Sequence, residues 1–505
     1  MTSQPKRRNH DGLWLLSLTA VAALALATVA AVVWHETGGV GGVPLDDAWI
    51  HFQFARNLAR GQGFSFNAGV PAAGSTAPLW TLILAGAAWL GGPFPLTGQA
   101  LSALSFLIVP LVTYQLARKL TANRWAAWLA GLLVALNGRM LWAALSALET
   151  PLFAALTVLA VERHLANRDA RRYGVGTAVL FALAAQCRPE GYLLFALALL
   201  DTTVVRLRRD GLRQGWRRLP LLPALAFGVL VIPYLAFSLQ TSGHLLPNTY
   251  HAKTVITGWP ALDTLSIAAQ YLILDNPLIL PFVLLGVGVL LRRAPVVALW
   301  TIGLPLVYAF MHVTLYQHGR YLIPLVPFNA VLAVAGLLAV RPVASQRRWL
   351  PRWSAAHLAA AITALAVAGT AWRLPTMARL TAQNVTNIND MHVALGRWLA
   401  EHTPPDALLA VNDIGAIGYL SERTVVDLAG LVTPEVIPLL LAPARDARLA
   451  GYLLRQNVDY VVIFPNWFPG LAARSDILEP IHEVTLAHNT IAGGAQMVVY
   501  RARWR

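Results

Sequence analysis

The sequence predicts a polytopic, all-helical membrane domain followed by a small α/β domain outside the membrane. Hydrophobic residues make up 57% of the 505-residue chain and charged residues only 12%, which is too little charge to cover the surface of a soluble protein. Apolar stretches long enough to cross about 30 Å of hydrocarbon recur along the first three quarters of the chain. The last quarter regains ordinary polarity and alternates helix and strand patterns.

The apolar stretches predict eleven membrane spans. We place them near residues 13–33, 98–117, 125–141, 149–165, 173–187, 191–207, 219–239, 272–291, 294–313, 321–340 and 355–372. The first span follows a basic tail but lacks a small-residue cleavage pattern, so we expect a retained helix and not a signal peptide. Residues 76–91 are also apolar, but counting them as a span would reverse the orientation of every later loop. We therefore expect them to lie along the membrane surface or to enter it and return.

Membrane topology explains the net charge of +15. With the N-terminus in the cytoplasm, the cytoplasmic segments carry 22 Lys and Arg residues, whereas the opposite loops before residue 373 carry six. This asymmetry follows the positive-inside rule and places the C-terminus outside. The basic excess therefore does not indicate a nucleic-acid partner.

Two domains are predicted: a transmembrane domain at residues 12–373 and an extracytoplasmic α/β domain at residues 385–505. In the second domain we expect helices and strands at the following positions: helices at Met391–Glu401 and Ala447–Leu454, and strands at Leu408–Val411, Thr424–Leu428, Tyr460–Phe464 and Gln496–Tyr500. Its glycine-rich segment Asp413–Gly418 lacks the G-x-G-x-x-G spacing of a dinucleotide site, so we interpret it as a tight turn against the sheet.

Two adjacent carboxylates, Asp46 and Asp47, follow the first span. One of them is expected to cap a helix, but the pair also suits a general base with a raised pKa or a divalent-cation site. The helix that follows presents Ile50, Phe54 and Leu58 on one face, and we expect this face to rest on the membrane.

Two outer loops carry groups that suit a phosphate. Tyr316–Tyr321 contains His318 and Arg320, and Arg presents a planar fork that matches phosphate oxygens. Leu246–Lys253 contains the one lysine of the outer membrane-domain loops. The first loop is explained equally well if its Arg and Tyr residues anchor helix ends at the membrane interface. The lysine of the second loop is explained equally well if it is simply exposed to solvent.

Three further groups of charged residues lie at or within predicted spans. Ser146 and Glu149 have the spacing of a capping box, and Arg188 and Glu190 are close enough in sequence to pair. Either cluster is alternatively part of a site, because charges at membrane depth face a protein interior. Asp201 should face protein for the same reason.

These clusters, in this order, resemble the GT-C glycosyltransferases of bacteria, and most closely the terminal arabinofuranosyltransferase type. More distant likenesses are the lipid A aminoarabinose transferase and the protein O-mannosyltransferases. The resemblance covers nearly the whole chain and rests on DDAWIHFQFARNLARGQGFSFNAG, SALETPLF, CRPEGYLL, LPNTYHAK, HGRYLIPLVP and NDIGAIGYLSERTVVDLAGL. The shorter tail carries no obvious carbohydrate-binding module.

The resemblance implies an inverting transferase in a bacterial cytoplasmic membrane that uses a polyprenyl-phosphate sugar and an extracytoplasmic acceptor. It implies that the catalytic base is Asp46 or Asp47, with Asp46 favoured, and that Lys253, His318 and Arg320 bind the donor phosphate. Residues expected to line the site are Glu149, Arg188, Glu190, Asn248, Tyr250, His251 and Tyr321. Some relatives bind a divalent metal and others need none; here its ligands would be Asp46, Asp47 and His251.

Two other functions are open at this point. A lipid or solute transporter also has many spans and buried charges, although it usually shows internal repeats, and none is visible here. A polysaccharide ligase differs chiefly in the length of its donor. The transferase hypothesis requires the aspartates and the distant cations to meet around one cavity at the outer membrane boundary.

Overall fold

The computed structural model describes residues 11–168, 174–217, 220–253, 259–345 and 355–504. Helices dominate the part before residue 373. They are α1 (Gly12–Glu36), α2 (Asp47–Ala59), α3 (Pro78–Trp89), α4 (Leu96–Thr121), α5 (Arg124–Ala135), α6 (Gly138–Leu145), α7 (Thr150–Asn167), α8 (Val175–Cys187), α9 (Glu190–Arg217), α10 (Leu221–Ser242), α11 (Asn248–Lys253), α12 (Leu262–Asp275), α13 (Leu280–Arg293), α14 (Pro295–Phe310), α15 (Val326–Ser345) and α16 (Ala355–Ala371).

Every predicted span falls on a helix or on a bent pair of helices, but eleven spans are not confirmed. Within the described residues, four helices are long and apolar enough to cross a membrane, or six if each bent pair is one span. Helices α8 and α14 have only 13 and 16 residues, fewer than the roughly 20 that a straight crossing needs. Helix α3, with 12 residues, is also too short to cross, which fits the surface or re-entrant position expected for residues 76–91.

Two spans that were predicted as continuous are broken. The α5–α6 pair bends by 55° and the pair formed by α12 with Pro277–Arg293 bends by 101°. An asparagine lies at each bend, and its side-chain oxygen accepts a hydrogen bond from the first turn of the next helix: Asn137 from Met140 and Asn276 from Leu278. Hydropathy does not detect these caps, because the flanking residues stay apolar.

The C-terminal part combines helices with one five-stranded sheet. Its helices are α17 (Leu374–Asn387), α18 (Ala394–His402), α19 (Gly415–Ser421), α20 (Ile437–Leu440), α21 (Arg445–Arg455) and α22 (Pro469–Ala472). Its strands are β1 (Leu408–Val411), β2 (Thr424–Asp427), β3 (Tyr460–Ile463), β4 (Leu478–Thr485) and β5 (Gln496–Ala502).

The sheet has the order β2-β1-β3-β5-β4, and β1 runs parallel to both β2 and β3. Strand β5 is antiparallel to β3 and β4. Successive side chains of a strand point to opposite faces, so Leu409 and Val411 join one apolar cluster and Ala410 joins the other. The four predicted strands are confirmed within a few residues, whereas β4 was missed because its sequence, LEPIHEVT, mixes proline and charged residues.

Helix α2 is buried on two sides, which corrects the expectation that its apolar face rests on the membrane. Trp49 and Phe52 pack into the core of the membrane domain. Ile50 and Phe54, from the face expected to meet lipid, pack instead with residues of the C-terminal sheet domain. The acid pair at the start of this helix therefore lies at the junction of the two parts of the chain.

Helices α13 and α15 approach each other through glycines. A methyl group built on Gly286 would lie 2.0 Å from the carbonyl oxygen of Leu332, and one built on Gly336 would lie 2.0 Å from that of Phe282. Small residues allow such close backbone contact between membrane helices. Gly288 lies two residues further along α13 and therefore on another side of the helix, and a methyl group built there meets no atom within 4 Å.

We therefore expect Gly286→Ala to destabilise the protein by about 1–3 kcal/mol or more, as overpacking does. Gly288→Ala is the matched control on the same helix and should leave stability unchanged or slightly higher. The measurement is the temperature at which half of the detergent-solubilised protein loses its monodisperse elution peak. Equal midpoints for the two variants would contradict the close packing of α13 on α15.

Candidate active site

An ion pair between Asp47 and Arg320 forms the centre of the candidate site. Asp47 is the first residue of α2, and its Oδ2 accepts a hydrogen bond of 2.7 Å from Nη2 of Arg320. The same nitrogen lies 3.2 Å from the hydroxyl of Tyr321. The side chain of Asp47 is 25% exposed and that of Arg320 only 8%. The structure thus brings together one acid and one cation that are far apart in sequence, as the transferase hypothesis requires.

The backbone before Arg320 has an unusual conformation. Gln317, His318 and Gly319 have φ angles of 55°, 61° and 61°, in the left-handed region that side chains disfavour. A methyl group on Gly319 would lie 2.5 Å from the ring of Tyr271, so the position requires glycine for both reasons.

Arg139 holds this turn in place. Its Nη1 donates to the carbonyl oxygens of His318 at 3.2 Å and Gly319 at 3.3 Å. Its guanidinium is itself paired with the carboxylate of Asp275, with Nε 2.8 Å from Oδ1. Arg139 follows the α5–α6 bend and Asp275 ends α12 before the larger bend, so both breaks are used to place this pair. The sequence analysis included Arg139 only in its count of six basic residues in the loops opposite the cytoplasm, and it gave Asp275 no role.

A second charged cluster lies in the same cavity. Arg188 donates to Oε1 of Glu149 at 3.1 Å and to Oε1 of Glu190 at 2.7 Å, and the hydroxyl of Tyr308 donates to Glu190. The sequence left open whether Arg188 and Glu190 pair or belong to a site; they pair, and both line the cavity. The predicted capping box of Ser146 and Glu149 is wrong, because Glu149 itself occupies the N-cap position of α7 and makes no side-chain cap bond.

These residues line a cavity of about 370 Å³ with one polar end. Asp47, Glu149, Arg188, Glu190, Arg320 and Tyr321 form that end, together with His51. The remaining wall is largely apolar and includes Leu193, Leu246, Leu304, Val307 and Met311. Burial lowers the pKa of His51, so the imidazole is neutral near pH 7. The cavity can therefore hold a molecule that is apolar along most of its length and charged at one end.

Asp46 points away from this cavity towards the C-terminal domain. It is 3% exposed, and its carboxylate accepts the backbone N–H groups of Gly415 at 2.8 Å and Ala416 at 2.7 Å. These N–H groups begin α19, where a helix favours a negative charge. The segment Asp413–Gly418, expected to form a tight turn, is instead the start of a helix capped by an acid from the loop between α1 and α2.

Two ionisable side chains, those of His392 and Asp413, lie beside Asp46. Nε2 of His392 lies 2.8 Å from Oδ2 of Asp413, and the ligand atoms of Asp46, His392 and Asp413 all lie within 4.8 Å of one another. Burial and then the charge of Asp413 raise the pKa of Asp46 to about 7, against the opposing effect of His392 and the backbone N–H groups. Burial alone would lower the pKa of His392, but the two carboxylates raise it above the ordinary value.

The metal ligands expected from the resemblance are not grouped. Among the described residues, the one set of three metal-ligating side chains close together is Asp46, His392 and Asp413; Asp47 and His251 are not part of it. Both oxygens of Asp46 already accept backbone N–H groups and His392 already bonds to Asp413. This set fits a hydrogen-bonded cluster better than a cation site, and a divalent metal stays a prediction.

The other predicted site residues are dispersed. His318 bonds through Nε2 to Oδ1 of Asn384 at 2.7 Å and does not line the cavity with Arg320, so its position does not support phosphate binding. Asn248 is buried and bonds to the backbone of Ala73 and Leu431. The ring of His251 lies against that of His244.

Tyr250 lines the cavity, together with its neighbour Thr249 on α11. Lys253 ends this helix, but its side chain lies outside the described residues. Asp201 is buried as expected, and it faces His164 at 2.8 Å and Arg168 at 3.2 Å.

The C-terminal part of the chain matches a known family, and 41% of the chain matches a curated relative. Residues 379–502 match a family described as a domain of unknown function (DUF8728). A terminal beta-(1->2)-arabinofuranosyltransferase of Mycobacterium tuberculosis is 30% identical over 225 residues, which are 41% of this chain and 34% of that protein. The chain therefore spans about a third of the length of this relative.

Solved structures are similar over most of the chain. ArnT from Cupriavidus metallidurans, bound to undecaprenyl phosphate, is 16% identical with a TM-score of 0.60, over 95% of this chain and 98% of that one. The arabinofuranosyltransferase AftD from Mycobacteria is 17% identical with a TM-score of 0.52, over 95% of this chain and 40% of that one. At these identities the likeness shows the fold.

The chain is a membrane protein with apolar helices, a small C-terminal α/β domain and the fold of GT-C glycosyltransferases. The likeness expected from its motifs is confirmed at the level of the fold.

The cluster around Asp46 predicts that stability depends on pH. The raised pKa means that the folded state binds a proton that the unfolded chain releases above its ordinary pKa of 3.8. This contribution to stability is complete at low pH and is lost as pH rises through about 7, at up to about 1.4 kcal/mol per pH unit. The raised pKa of His392 acts in the same direction. We expect the unfolding midpoint to fall between pH 5.5 and pH 8, and to fall less in Asp46→Asn.

Asp406→Asn provides the control, since Asp406 is an exposed acid of the same domain. It should keep the slope of the wild type. Parallel pH profiles for the wild type and Asp46→Asn would rule out a proton held by Asp46 in the folded state.

Proposed function

We propose that this protein is an inverting glycosyltransferase that moves a sugar from a polyprenyl-phosphate donor to an extracytoplasmic glycan, lipid or protein acceptor. We place it in the bacterial cytoplasmic membrane, with its N-terminus in the cytoplasm and its C-terminal domain outside. One observation carries the proposal: Asp47 and Arg320 are joined at the polar end of a cavity whose remaining wall is largely apolar.

The cavity suits a donor that is part lipid and part phosphate. Its apolar wall can cover the first isoprene units, and the guanidinium of Arg320 offers donors for phosphate oxygens. Nε of Arg320 is buried and has no hydrogen-bond partner in the described part of the chain, so it has capacity for a ligand oxygen. ArnT, which shares the fold, has been solved with undecaprenyl phosphate bound. A donor carried by the membrane is also needed because nucleotide sugars do not occur outside the cytoplasm.

The cavity is lined by more acidic than basic side chains, so we expect phosphate binding to require a second cation besides Arg320. Arg188 is already balanced by Glu149 and Glu190, and unpaired acids would repel a phosphate. The resemblance implies Lys253 as a phosphate-binding residue, and Lys253 ends α11, the helix that carries the cavity residue Thr249. We therefore retain Lys253 as the second phosphate-binding residue.

The reaction is a single displacement. The oxygen of an acceptor hydroxyl forms a bond to the anomeric carbon, and the bond from that carbon to the phosphate oxygen breaks. The electron pair of the broken bond stays on polyprenyl phosphate, whose charge Arg320 stabilises. The hydroxyl proton passes to the carboxylate of Asp47, which acts as general base. Attack from the side opposite the leaving phosphate inverts the anomeric configuration.

The two aspartates have different roles in this proposal. The resemblance favoured Asp46 as the base, but its two oxygens are occupied by the N-terminus of α19. Asp47 borders both the apolar cavity and a second cavity of about 680 Å³ against the C-terminal domain. A base placed between donor and acceptor must border both spaces, so we assign catalysis to Asp47 and positioning to Asp46.

Asp47→Asn should reduce sugar transfer by about 10²–10⁴-fold, the usual range for loss of a general base. Thermal stability should stay near that of the wild type, because the amide keeps an acceptor for Arg320. The measurement is transfer of radiolabelled sugar from a polyprenyl-phosphate donor in proteoliposomes, with release of polyprenyl phosphate as the second readout.

Asp263→Asn is the control, because Asp263 is an exposed acid in the first turn of α12; it should leave transfer unchanged. Full activity in Asp47→Asn, with loss of activity in a folded Asp46→Asn, would reverse the assignment. Donor lipid that crosses the bilayer without any sugar transfer by the wild type would favour the transporter.

A further inference from the structure

Two adjoining cavities separate the C-terminal sheet from the membrane-boundary segment that contains Arg320. Their volumes are about 680 and 700 Å³, within the range of small-molecule sites. Both are lined by Tyr316 and Gln317 on one side and by Asn412 and Trp467 on the other. Asp47 borders the first cavity and Arg320 the second.

The sheet presents the carboxyl ends of its parallel strands to these cavities. Asn412 directly follows β1, Leu428 and Ala429 follow β2, and Trp467 follows β3 by a few residues. Ligands of α/β domains characteristically bind outside the carboxyl ends of parallel strands. The topology therefore directs a ligand-binding edge towards the catalytic pair.

Trp467 is a fixed aromatic platform in this space. Its side chain is 45% exposed, yet its indole N–H donates to the carbonyl of Gly493 at 2.8 Å and its ring lies 5.6 Å from that of Phe464. A methyl group on Gly493 would lie 2.7 Å from the indole, so the loop approaches the ring as closely as glycine permits. An exposed aromatic ring held in one orientation is suited to stacking.

Asn412 supplies a buried hydrogen-bond donor beside this platform. It is 4% exposed, and its Oδ1 accepts the backbone N–H of Phe464 at 3.1 Å, which fixes the orientation of the amide. Its Nδ2 is buried and has no partner within the described ranges. Leaving a buried hydrogen-bond donor without a partner costs about 1–3 kcal/mol of folding free energy. We therefore infer that the Nδ2 group of Asn412 donates to an oxygen of a bound ligand.

The chemistry of the lining favours a carbohydrate. A sugar ring has an apolar C–H face, which the negatively charged face of an indole attracts, and hydroxyls around its edge, which amides bind. Besides Asn412, the uncharged polar residues that line the first cavity include Gln317, Asn489 and Thr490. An acyl chain would instead require a continuous apolar wall.

We propose that these cavities are the acceptor site and that the acceptor is a glycan, with one sugar ring stacked on Trp467 and hydrogen-bonded by Asn412. This proposal rests on the glycosyltransferase function and narrows the acceptor class. Asp47 and Trp467 border the same cavity, so one acceptor can present its attacking hydroxyl to Asp47 while one of its rings stacks on Trp467.

The test measures glycan binding without donor, and transfer separately. Neutral hexasaccharides of arabinose, mannose and glucose are added to the full-length protein in nanodiscs, and saturation-transfer NMR reports binding. At least one should bind the wild type, Trp467→Ala should weaken that binding at least tenfold, and Trp467→Phe should have an intermediate effect. In transfer assays Trp467→Ala should raise the KM for the acceptor and leave the KM for the donor unchanged.

Trp504→Ala is the matched control, because Trp504 is also a partly buried tryptophan of this domain whose indole bonds to a backbone carbonyl, that of Val458. It should bind the glycan normally. Failure of all three hexasaccharides to bind the wild type, or equal binding by folded Trp467→Ala, would overturn the proposal. Glycan binding without release of polyprenyl phosphate from any donor would instead overturn the proposed function and leave the glycan site standing.

Discussion

The junction between the membrane domain and the C-terminal domain depends on the carboxylate of Asp46. This side chain extends from the loop between α1 and α2 and caps α19, where it accepts two backbone N–H groups at the positive end of the helix. The next residue, Asp47, then begins α2 and faces Arg320. Adjacent helical residues project about 100° apart, so anchoring the first acid in the sheet domain directs the second towards the cavity.

Several supporting interactions hold the opposite side of the site. The left-handed turn at His318 and Gly319 is maintained by Arg139, which is itself held by Asp275. These charged groups come from two broken helices, and irregular backbone near a membrane is tolerated where it is buried in protein. The breaks in the helices therefore place Arg320, and the Asp46 cap places Asp47.

The sequence identifies the fold class, four strands and the meeting of an early acid with a late cation. It does not distinguish Asp46 from Asp47, because adjacent acids give the same pattern and only the position of the sheet domain separates them. It also places α2 on the membrane, because a helix with one apolar face has the same pattern whether lipid or another domain covers that face. The Arg139–Asp275 pair escapes prediction because neither residue belongs to one of the six motifs that carry the resemblance, and nothing in the sequence links two residues 136 positions apart.

A structure of the protein in lipid nanodiscs with a polyprenyl-phosphate sugar bound tests the central claim most directly. The account predicts the phosphate at the guanidinium of Arg320, with charge-assisted bonds of about 2.7–2.9 Å. It further predicts the anomeric carbon beside Asp47 and the first isoprene units along Leu304, Val307 and Met311. A phosphate bound away from Arg320, or a sugar on the side of the membrane domain remote from Asp47, would contradict it.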